Sequence, residues 1–498
     1  MKSKVFIHIY RSLVFIVIIS LVSSATLLAE NVELEPVFLN LDECLSIAIN
    51  NNLDLKIAKL DNWIAGTEET YTQSVYDMLL TGEGYYEEDR QERPSYLYPT
   101  ERLTADYKFG IKQKLPTGTT IEIDYDCDRD WDNNIFTTIN PSYTTTIDFT
   151  ARQSVLKNLL GIQDRGEIKV ARMNVKISDL KTYRRIEKII ADVEKKYWFV
   201  VFAKNNIAME KRILDKALEI QKIGETHLAL GYIEQRDHIS NQANVKQKQI
   251  NMLVAENQLK DAINSLKLVL NVEFPNPILP LDNFQIPETK PVLLNSLKIA
   301  INNRKDLAAK KQELQKKNLS LVMKENALLP EIDIVATYSA NGVDRKVGKA
   351  HGTLTTTKFP RYYIGAELSY PLENNVARSE YQKAEFGKVK TINEIKLLEK
   401  TILTQVDDIV RETLLNIEKI DRSAIVRDLN KMRVAEEEKH YKNGRSSSKD
   451  LIDFQNSLLL AEIRVLLAYL DYYYSAIDLE VSKDTLLDNL GIVINENI

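Results

Sequence analysis

Cysteine is scarce in this chain of 498 residues, which contains two, Cys44 and Cys127. Two thiols are too few for a disulfide framework, so we expect both to be unpaired. After residue 29 the sequence also lacks any apolar stretch long enough to form a membrane-spanning helix. Any insertion into a bilayer would therefore use β-strands, because backbone polar groups must be paired with one another inside lipid.

Motifs for catalysis and for phosphate, metal or nucleic-acid binding are missing as well. The sequence has no phosphate-cradling glycine loop, no nucleophile elbow, no histidine-rich metal spacing and no cysteine motif. The formal net charge of −5 gives no basic surface for nucleic acid. Hydrophobic residues at 44% and charged residues at 28% are typical of a folded protein. We expect no enzymatic activity, no catalytic residue, no cofactor and no metal.

The N-terminus has the pattern of a secretory signal peptide. Lys2, Lys4 and Arg11 precede an apolar run of about 15 residues, which small residues and then Glu30 follow. A retained membrane anchor is the alternative, but the run is shorter than the roughly 20 residues that span a bilayer. We assign residues 1–29 to the signal peptide, so the mature chain is exported.

The mature chain repeats itself. Residues 45–55 have the sequence LSIAINNNLDL, and residues 297–307 have the sequence LKIAINNRKDL. Five prolines lie between the two copies, in residues 274–291, and indicate an extended linker without regular structure. We therefore predict a first repeat at residues 30–273 and a second repeat at residues 292–498.

Each repeat contains two long helical segments separated by a turn. Residues 164–230 and 376–442 have helical apolar spacing and no internal proline, and heptad ladders continue in the return helices. A helix of about 65 residues is roughly 100 Å long, so such helices must pack side by side along their length. A filament-forming coiled coil is the alternative interpretation.

Strand-like segments in both repeats argue against a filament. Tyr107, Phe109 and Ile111 alternate with charged residues, and the same alternation recurs around residues 121–128, 147–152, 331–338 and 362–370. Half-buried strands of a soluble sandwich also alternate in this way. Tyrosine-rich segments of about 10 residues in an exported protein favour outer-membrane strands. One chain offers too few strands to close a barrel, so we expect oligomerisation.

These segments resemble the TolC family of outer-membrane efflux proteins over nearly the whole mature chain. Residues 41–54 resemble the start of each family repeat, residues 329–332 the start of a strand, and residues 368–372 its end. The resemblance implies a mainly α homotrimer with membrane β-strands. Its strands would close one outer-membrane β-barrel, continuous with a periplasmic α-barrel of coiled-coil helices. The family contributes four strands per subunit. An additional hairpin around residues 116–118, and a further strand near Tyr85, leave the number open here.

The turns between the paired long helices carry the most specific resemblance. Asp237 follows Gly231 by six residues, and Asp450 follows Gly444 by the same interval. Glycine allows the chain to leave a helix, and aspartate suits the next helix N-terminus, so a capping role alone would explain the spacing. The resemblance implies instead that both turns form a periplasmic tip, where an adaptor docks around Gly231 and Gly444.

The resemblance also assigns roles to side chains at this tip. Asp450 and Asp453 would ring a narrow aperture and favour cations. Tyr441 and Arg445 would lock onto Asp237, although Ser446 occupies the position where the family has its arginine. His227, His238 and His440 lie near the same turns. They are either solvated helix ends or a site where protonation loosens the tip.

The predicted function is a passive exit duct across the periplasm and outer membrane. Its partners would be two further copies of the chain, outer-membrane lipid, a periplasmic adaptor (membrane fusion) protein and an inner-membrane pump. The pump would be of the resistance-nodulation-division or ABC class, because the duct itself supplies no energy. Type I protein secretion is the alternative to small-molecule efflux. A non-conducting coiled-coil envelope scaffold is the alternative from another class.

Overall fold

The structure is a computed structural model that describes residues 35–95, 97–273, 275–285, 290–356, 358–443 and 445–492. The predicted signal peptide lies outside these residues. The helices are α1 (Leu41–Asn51), α2 (Leu53–Gln73), α3 (Ile162–Ala229), α4 (Gln235–Leu270), α5 (Leu293–Asn303), α6 (Lys305–Asn326), α7 (Val347–Thr355), α8 (Asn375–Lys442), α9 (Ser448–Lys483) and α10 (Leu486–Asn489). The strands are β1 (Val37–Leu39), β2 (Leu79–Asp89), β3 (Arg102–Lys114), β4 (Thr119–Asp132), β5 (Ser142–Ser154), β6 (Ile278–Pro280), β7 (Glu331–Asp344) and β8 (Pro360–Ser369). Among the described helices, none is both long and apolar enough to cross a membrane.

The first helix, α1, begins at a capping box. Asn40 Oδ1 accepts a hydrogen bond from the Glu43 backbone N–H at 2.8 Å, and Glu43 Oε2 accepts one from the Asn40 N–H at 2.9 Å. Two N–H groups without intrahelical partners are thereby satisfied, which fixes the start of the helix. Burial raises the pKa of the Cys44 thiol on α1 to about 12. Cys44 and Cys127 are both free, as predicted.

The two predicted long helices, each followed by a return helix, are confirmed. α3 and α8 have 68 residues each, and the return helices α4 and α9 have 36 residues each. The predicted bounds of α3 and α8 differ from the observed ones by two residues or fewer. Uninterrupted helical apolar spacing without proline is therefore a dependable signal for these elements.

One compact unit consists of Met1–Asn52, Asp192–Thr289 and Leu415–Tyr474. Within its described part, β1 and β6 form a parallel pair in which Val37 lies opposite Ile278. β6 belongs to the proline-rich segment, so the prediction that residues 274–291 hold no regular element is wrong for this strand. Lys204 Nζ donates to the Pro280 carbonyl at 2.7 Å, and the buried Tyr197 hydroxyl donates to Asp282 Oδ2 at 2.6 Å. These bonds hold the segment in place.

The other compact unit consists of Leu53–Ala191, Lys290–Leu414 and Ser475–Ile498. It contains a six-stranded antiparallel sheet with the order β2-β3-β4-β5-β7-β8. The strands predicted from alternation all belong to this sheet, and β2 is the further strand near Tyr85. The β5–β7 pair joins the two halves of the chain, with Tyr143 opposite Asp344.

The sheet has one apolar face and one polar face. Residues directly opposite each other on neighbouring strands project from the same face, and consecutive residues project from opposite faces. One row across all six strands is apolar: Leu80, Ile111, Ile123, Phe149, Tyr338 and Tyr362. The neighbouring row on the other face is small or polar: Thr81, Gly110, Asp124, Asp148, Ser339 and Arg361. The alternation in the sequence therefore corresponds to two chemically distinct surfaces.

A short helix, α7, covers part of the apolar face and was not predicted. It packs on β5 and β7 so closely that a Cβ atom at Gly342 would lie 2.1 Å from the Ala350 carbonyl oxygen. His351 on α7 also forms a hydrogen bond through Nε2 with the Tyr125 hydroxyl. Glycine at position 342 is therefore a packing requirement.

Carboxylates are buried together where the interior of α3 meets the segment after α9 in this same unit. Glu187 is fully buried, and its Oε1 accepts a hydrogen bond from the Leu486 N–H at 3.0 Å. Asp484 is also fully buried and lies 3.5 Å from the Arg184 guanidinium. Burial, followed by the negative charge of Asp484, raises the pKa of Glu187 to about 8. The ordinary pKa of glutamate is near 4.5, so this environment favours the protonated form of Glu187.

Candidate functional site: the turns between paired long helices

The turn after α3 is closed by two backbone hydrogen bonds. The Gly231 N–H donates to the Leu228 carbonyl at 3.0 Å, and the Tyr232 N–H donates to the His227 carbonyl at 2.8 Å. Gly231 has φ of +76°, the left-handed conformation that this helix-ending motif uses. The predicted turn glycine therefore has the conformation for which glycine is favoured.

The turn after α8 uses the same five-residue step. The Arg445 N–H donates to the His440 carbonyl at 2.9 Å, and the Asn443 N–H donates to the Lys439 carbonyl at 3.2 Å. Gly444, predicted as the matching turn glycine, lies outside the described residues. The two turns thus share a bond from the residue after the glycine position to a histidine carbonyl.

Tyr441 is the largest fully buried side chain described at this turn, with 1% of its surface exposed. It packs with Ile220 on α3 and with Leu451 on α9, which are also buried. Burial raises the pKa of its hydroxyl. A large aromatic ring enclosed by two other helices fixes the end of α8 by packing.

Asn241 is the polar neighbour of Tyr441 that the sequence did not reveal. A Cβ atom at Gly224 would lie 2.5 Å from Asn241 Nδ2 and 3.6 Å from the Tyr441 hydroxyl, so these three residues converge. Asn241 is 1% exposed. It follows Asp237 by one helical turn, which places both on one side of α4. That spacing was the available signal, but asparagine on a helix is too common to single out.

Asp237 lies at the start of α4 and remains partly exposed. Its N–H donates to the Glu234 carbonyl at 3.0 Å, and its Oδ1 lies 3.8 Å from Arg236 Nε. Its negative charge contributes to the raised pKa of Tyr441, behind burial. Asp237 is therefore near Tyr441, while Asn241 is the side chain that converges with Tyr441 beside Gly224.

Asp450 and Asp453 lie exposed in the first turns of α9. Asp450 Oδ2 accepts a hydrogen bond from the Ser447 hydroxyl at 2.6 Å, and the Asp450 N–H donates back to Ser447 Oγ at 3.2 Å. This reciprocal pair is a helix cap, so the capping interpretation holds for Asp450. Asp453 has no such bond through its carboxylate within the described chain, and its charge is free to face solvent.

Arg445 and the three histidines differ in the contacts that their side chains make. Arg445 is exposed, and its guanidinium forms no ion pair with the described residues. The His227 ring lies 5.6 Å from the Tyr441 ring and 6.0 Å from the Tyr232 ring. His238 contacts Gln242 on its own helix at 3.0 Å. His440 is exposed. Of the three histidines, His227 is the one packed against the buried tyrosine.

The polar face of the sheet carries a second group of charges. Carboxylate oxygens of Asp106, Asp126 and Asp128 lie within 4.8 Å of one another. Lys108 Nζ lies 3.2 Å from Asp106 Oδ2 and 3.6 Å from Asp126 Oδ2. The single lysine offsets part of the acidic charge of this group, which lies on the polar face of the sheet.

No protein-family model and no curated protein matches the sequence. Solved structures do match. The chain has a TM-score of 0.70 to CusC, described as forming a transmembrane channel, at 14% identity over 90% of this chain and 93% of that one. The CmeC outer membrane channel of Campylobacter jejuni gives a TM-score of 0.65 at 14% identity, covering 89% and 85% of the two chains. The open state of the MtrE outer membrane channel of Neisseria gonorrhoeae gives 0.65 at 17% identity, covering 89% and 88%.

The chain has the fold of an outer-membrane channel. The resemblance to TolC-family channels, predicted from short motifs, is thereby confirmed at the level of fold. Similarity at this level of identity extends to the backbone and does not assign side-chain roles. The two faces of the sheet and the paired turns can nevertheless be interpreted by comparison with channels of the same fold.

Proposed function

We propose that this chain is one subunit of a homotrimeric exit duct in the outer membrane. The six-stranded sheet would form part of a β-barrel, and the long helix pairs would continue it as a periplasmic α-barrel. The chain would be two tandem repeats with a linker between them, in line with the equal lengths of the paired helices. Transport would be passive, driven by an inner-membrane pump of the resistance-nodulation-division or ABC class through a periplasmic adaptor.

The two-faced sheet carries this proposal. Its apolar face exposes large side chains, including Leu80, Phe109 and Tyr362, each more than half exposed. An isolated soluble protein rarely exposes a continuous apolar surface of this kind. Lipid would cover this face in a barrel, while the polar face with its aspartates and lysines would line water.

We propose that the paired turns form the periplasmic tip. Asp450 and Asp453 would ring the aperture, since both are exposed at the start of α9. Tyr441 would be the packed centre of the closed tip, with Asp237 and Asn241 beside it and Arg445 free to pair with another subunit. The turns at Gly231 and Gly444 would face the adaptor, and the first of them would present the exposed side chains of Leu230 and Tyr232.

Single-channel recording in a planar lipid bilayer tests the proposal. The purified full-length protein is expected to give discrete current steps that favour cations over anions. A coiled-coil scaffold, the alternative class, would give no current. Cross-linking at position 231 in cells, followed by mass spectrometry, would then identify the adaptor and separate drug efflux from type I protein secretion by the pump that is captured with it.

A further inference from the structure

The six-stranded sheet ends in two long open edges. β2 has 11 residues and pairs on one side with β3, and β8 has 10 residues and pairs on one side with β7. Within the described residues, the other side of each strand has no strand partner. An open edge presents unpaired N–H and C=O groups, which lipid does not tolerate. Both edges therefore require a partner if the sheet lies in a membrane.

The directions of the two edge strands suit a second copy of the same chain. All five pairings in the sheet are antiparallel, and the sheet has six strands. With an even number of strands, β2 and β8 run in opposite directions. The β2 edge of one copy can thus pair with the β8 edge of the next, and the antiparallel order continues without interruption.

The two edges also match in side-chain chemistry. Leu80 on β2 and Tyr362 on β8 belong to the same apolar row, so joining the edges continues the apolar face. Glu83 and Glu87 project from the polar face of β2, and Arg361 projects from the polar face of β8. No ion pair links these three side chains to any described residue. Pairing of the edges would bring opposite charges to the same face.

The strands β3 and β4 are integral to this sheet. β3 pairs residue by residue with β2 and with β4, and β4 pairs over twelve positions with β5. Ile111 on β3 and Ile123 on β4 lie in the apolar row between Leu80 and Phe149. If this hairpin left the wall, the row and both sets of backbone bonds would be broken. The hairpin therefore belongs to the wall and not to an extracellular extension.

We infer that all six strands enter one barrel wall, so that three copies close an eighteen-stranded barrel through pairing of β2 with β8 of the next copy. The inference rests on the proposed trimer and specifies the number of strands in its barrel, and hence the barrel diameter. Six strands from each of three copies, in place of the four that the family implies, put the barrel in the size class of porins, which enclose an aqueous channel. Because diameter grows roughly linearly with strand number, the bore has about twice the cross-section of a twelve-stranded barrel.

Disulfide trapping tests the joined edges. In a Cys44→Ser and Cys127→Ser background, Tyr363→Cys on β8 is combined in turn with Glu83→Cys, Tyr85→Cys and Glu87→Cys on β2, all on the polar face. At least one pair is expected to oxidise into covalent dimers and trimers of the full-length protein in membranes. The pair Glu83→Cys with Lys108→Cys, which are opposite each other within one chain, is the control and should oxidise without linking copies.

Labelling tests whether the β3–β4 hairpin lies in the wall. A fluorophore at Phe109→Cys or Ile123→Cys is expected to be quenched by nitroxide lipids as strongly as one at Ile364→Cys on β8. A hairpin that projects from the membrane would instead give quenching by an aqueous reagent at the first two positions and by lipid at the third. That result, or a conducting pore without any β2–β8 linkage, overturns the inference and leaves the proposed function intact. A protein that neither trimerises nor conducts overturns both.

Discussion

The two turns between long helices share a backbone hydrogen bond and differ in side chains. Each joins a helix of 68 residues to one of 36, and each has a bond to a histidine carbonyl five residues back. Three residues before the glycine position, however, the second turn has the buried Tyr441 where the first has Leu228. Nine residues after it, the second has Asp453 where the first has Ser240. The same hydrogen bond thus closes both turns, whereas a tyrosine and an aspartate at these two positions occur in the second turn only.

The largest expected difference between the turns comes from Tyr441. Tyr441→Ala should lower the free energy of unfolding by about 3–5 kcal/mol, because a large buried ring leaves a cavity. Leu228→Ala, the matched change in the first turn, should cost less than about 2 kcal/mol, because Leu228 is partly exposed. Tyr441→Phe should be nearly neutral if packing is the dominant role. Thermal unfolding of the purified protein measures all three, and a large loss in Tyr441→Phe would mean that the hydroxyl is the essential group.

The next prediction concerns the pH dependence of stability, which we expect to arise at Glu187, outside the turns. The pKa of Glu187, raised to about 8, lies above its ordinary value, so its contribution to stability is complete below pH 4.5 and is lost as pH rises through 8. Glu187→Gln should therefore remove a loss on the order of 4 kcal/mol between pH 5 and pH 9. Thermal unfolding midpoints across this range measure it. Equal pH dependence in the variant and the wild type would contradict the prediction.

A triple change of His227, His238 and His440 to glutamine is the companion experiment at the turns. If the histidines are solvated helix ends, conductance at pH 7 and pH 5.5 should change equally in the variant and the wild type. A response confined to the wild type would show that protonation at the tip, next to the buried tyrosine, controls opening.

Selectivity separates the two turns further. Replacing Asp450 and Asp453 with alanine should lower the cation-to-anion permeability ratio about threefold or more, because an exposed acidic ring is lost. Asp237→Ala should instead raise the open probability and leave selectivity unchanged, since Asp237 lies beside Tyr441. Bilayer recordings in a salt gradient report both quantities. Equal effects of the two sets of changes would remove the division of roles between the turns.

The smallest expected effect concerns the backbone conformation at Gly231. Gly231→Ala should destabilise the protein by about 1 kcal/mol, because alanine is strained at a φ of +76°. Gly66→Ala, in the middle of α2 with open space around it, should stabilise by a similar amount and serves as the control. A neutral result at Gly231 would indicate that the turn adopts another conformation.

Local sequence patterns predicted the long helices and most strands, but they did not predict which distant strands pair. The long helices and the alternating strands follow from periodicity, which neighbouring residues alone determine. The pairing of β5 with β7 joins positions almost 200 residues apart, and β6 pairs with β1, which is even more distant in the sequence. α7 is held by contacts with the sheet, including the close approach at Gly342, and its sequence has two glycines that disfavour a helix.

The positions of the two turns could be predicted from the sequence, but most of the side-chain contacts at them could not. The spacing from glycine to aspartate located both turns, and Ser447 with Asp450 forms the cap that such spacing indicates. The convergence of Asn241, Gly224 and Tyr441 involves three helices. No sequence window contains such a contact, because helix packing determines which side chains meet.

The even number of strands also limits how this fold can change in evolution. In each half of the chain, the sheet is entered from a helix and left toward a helix on the same side, as from α2 into β2 and from β5 toward α3. Gaining or losing a single strand would deliver the chain to the wrong side and would turn one edge parallel to its neighbour. In the proposed barrel, the bore size in descendants of this chain would therefore change by whole hairpins, whereas loops and side chains can vary one residue at a time.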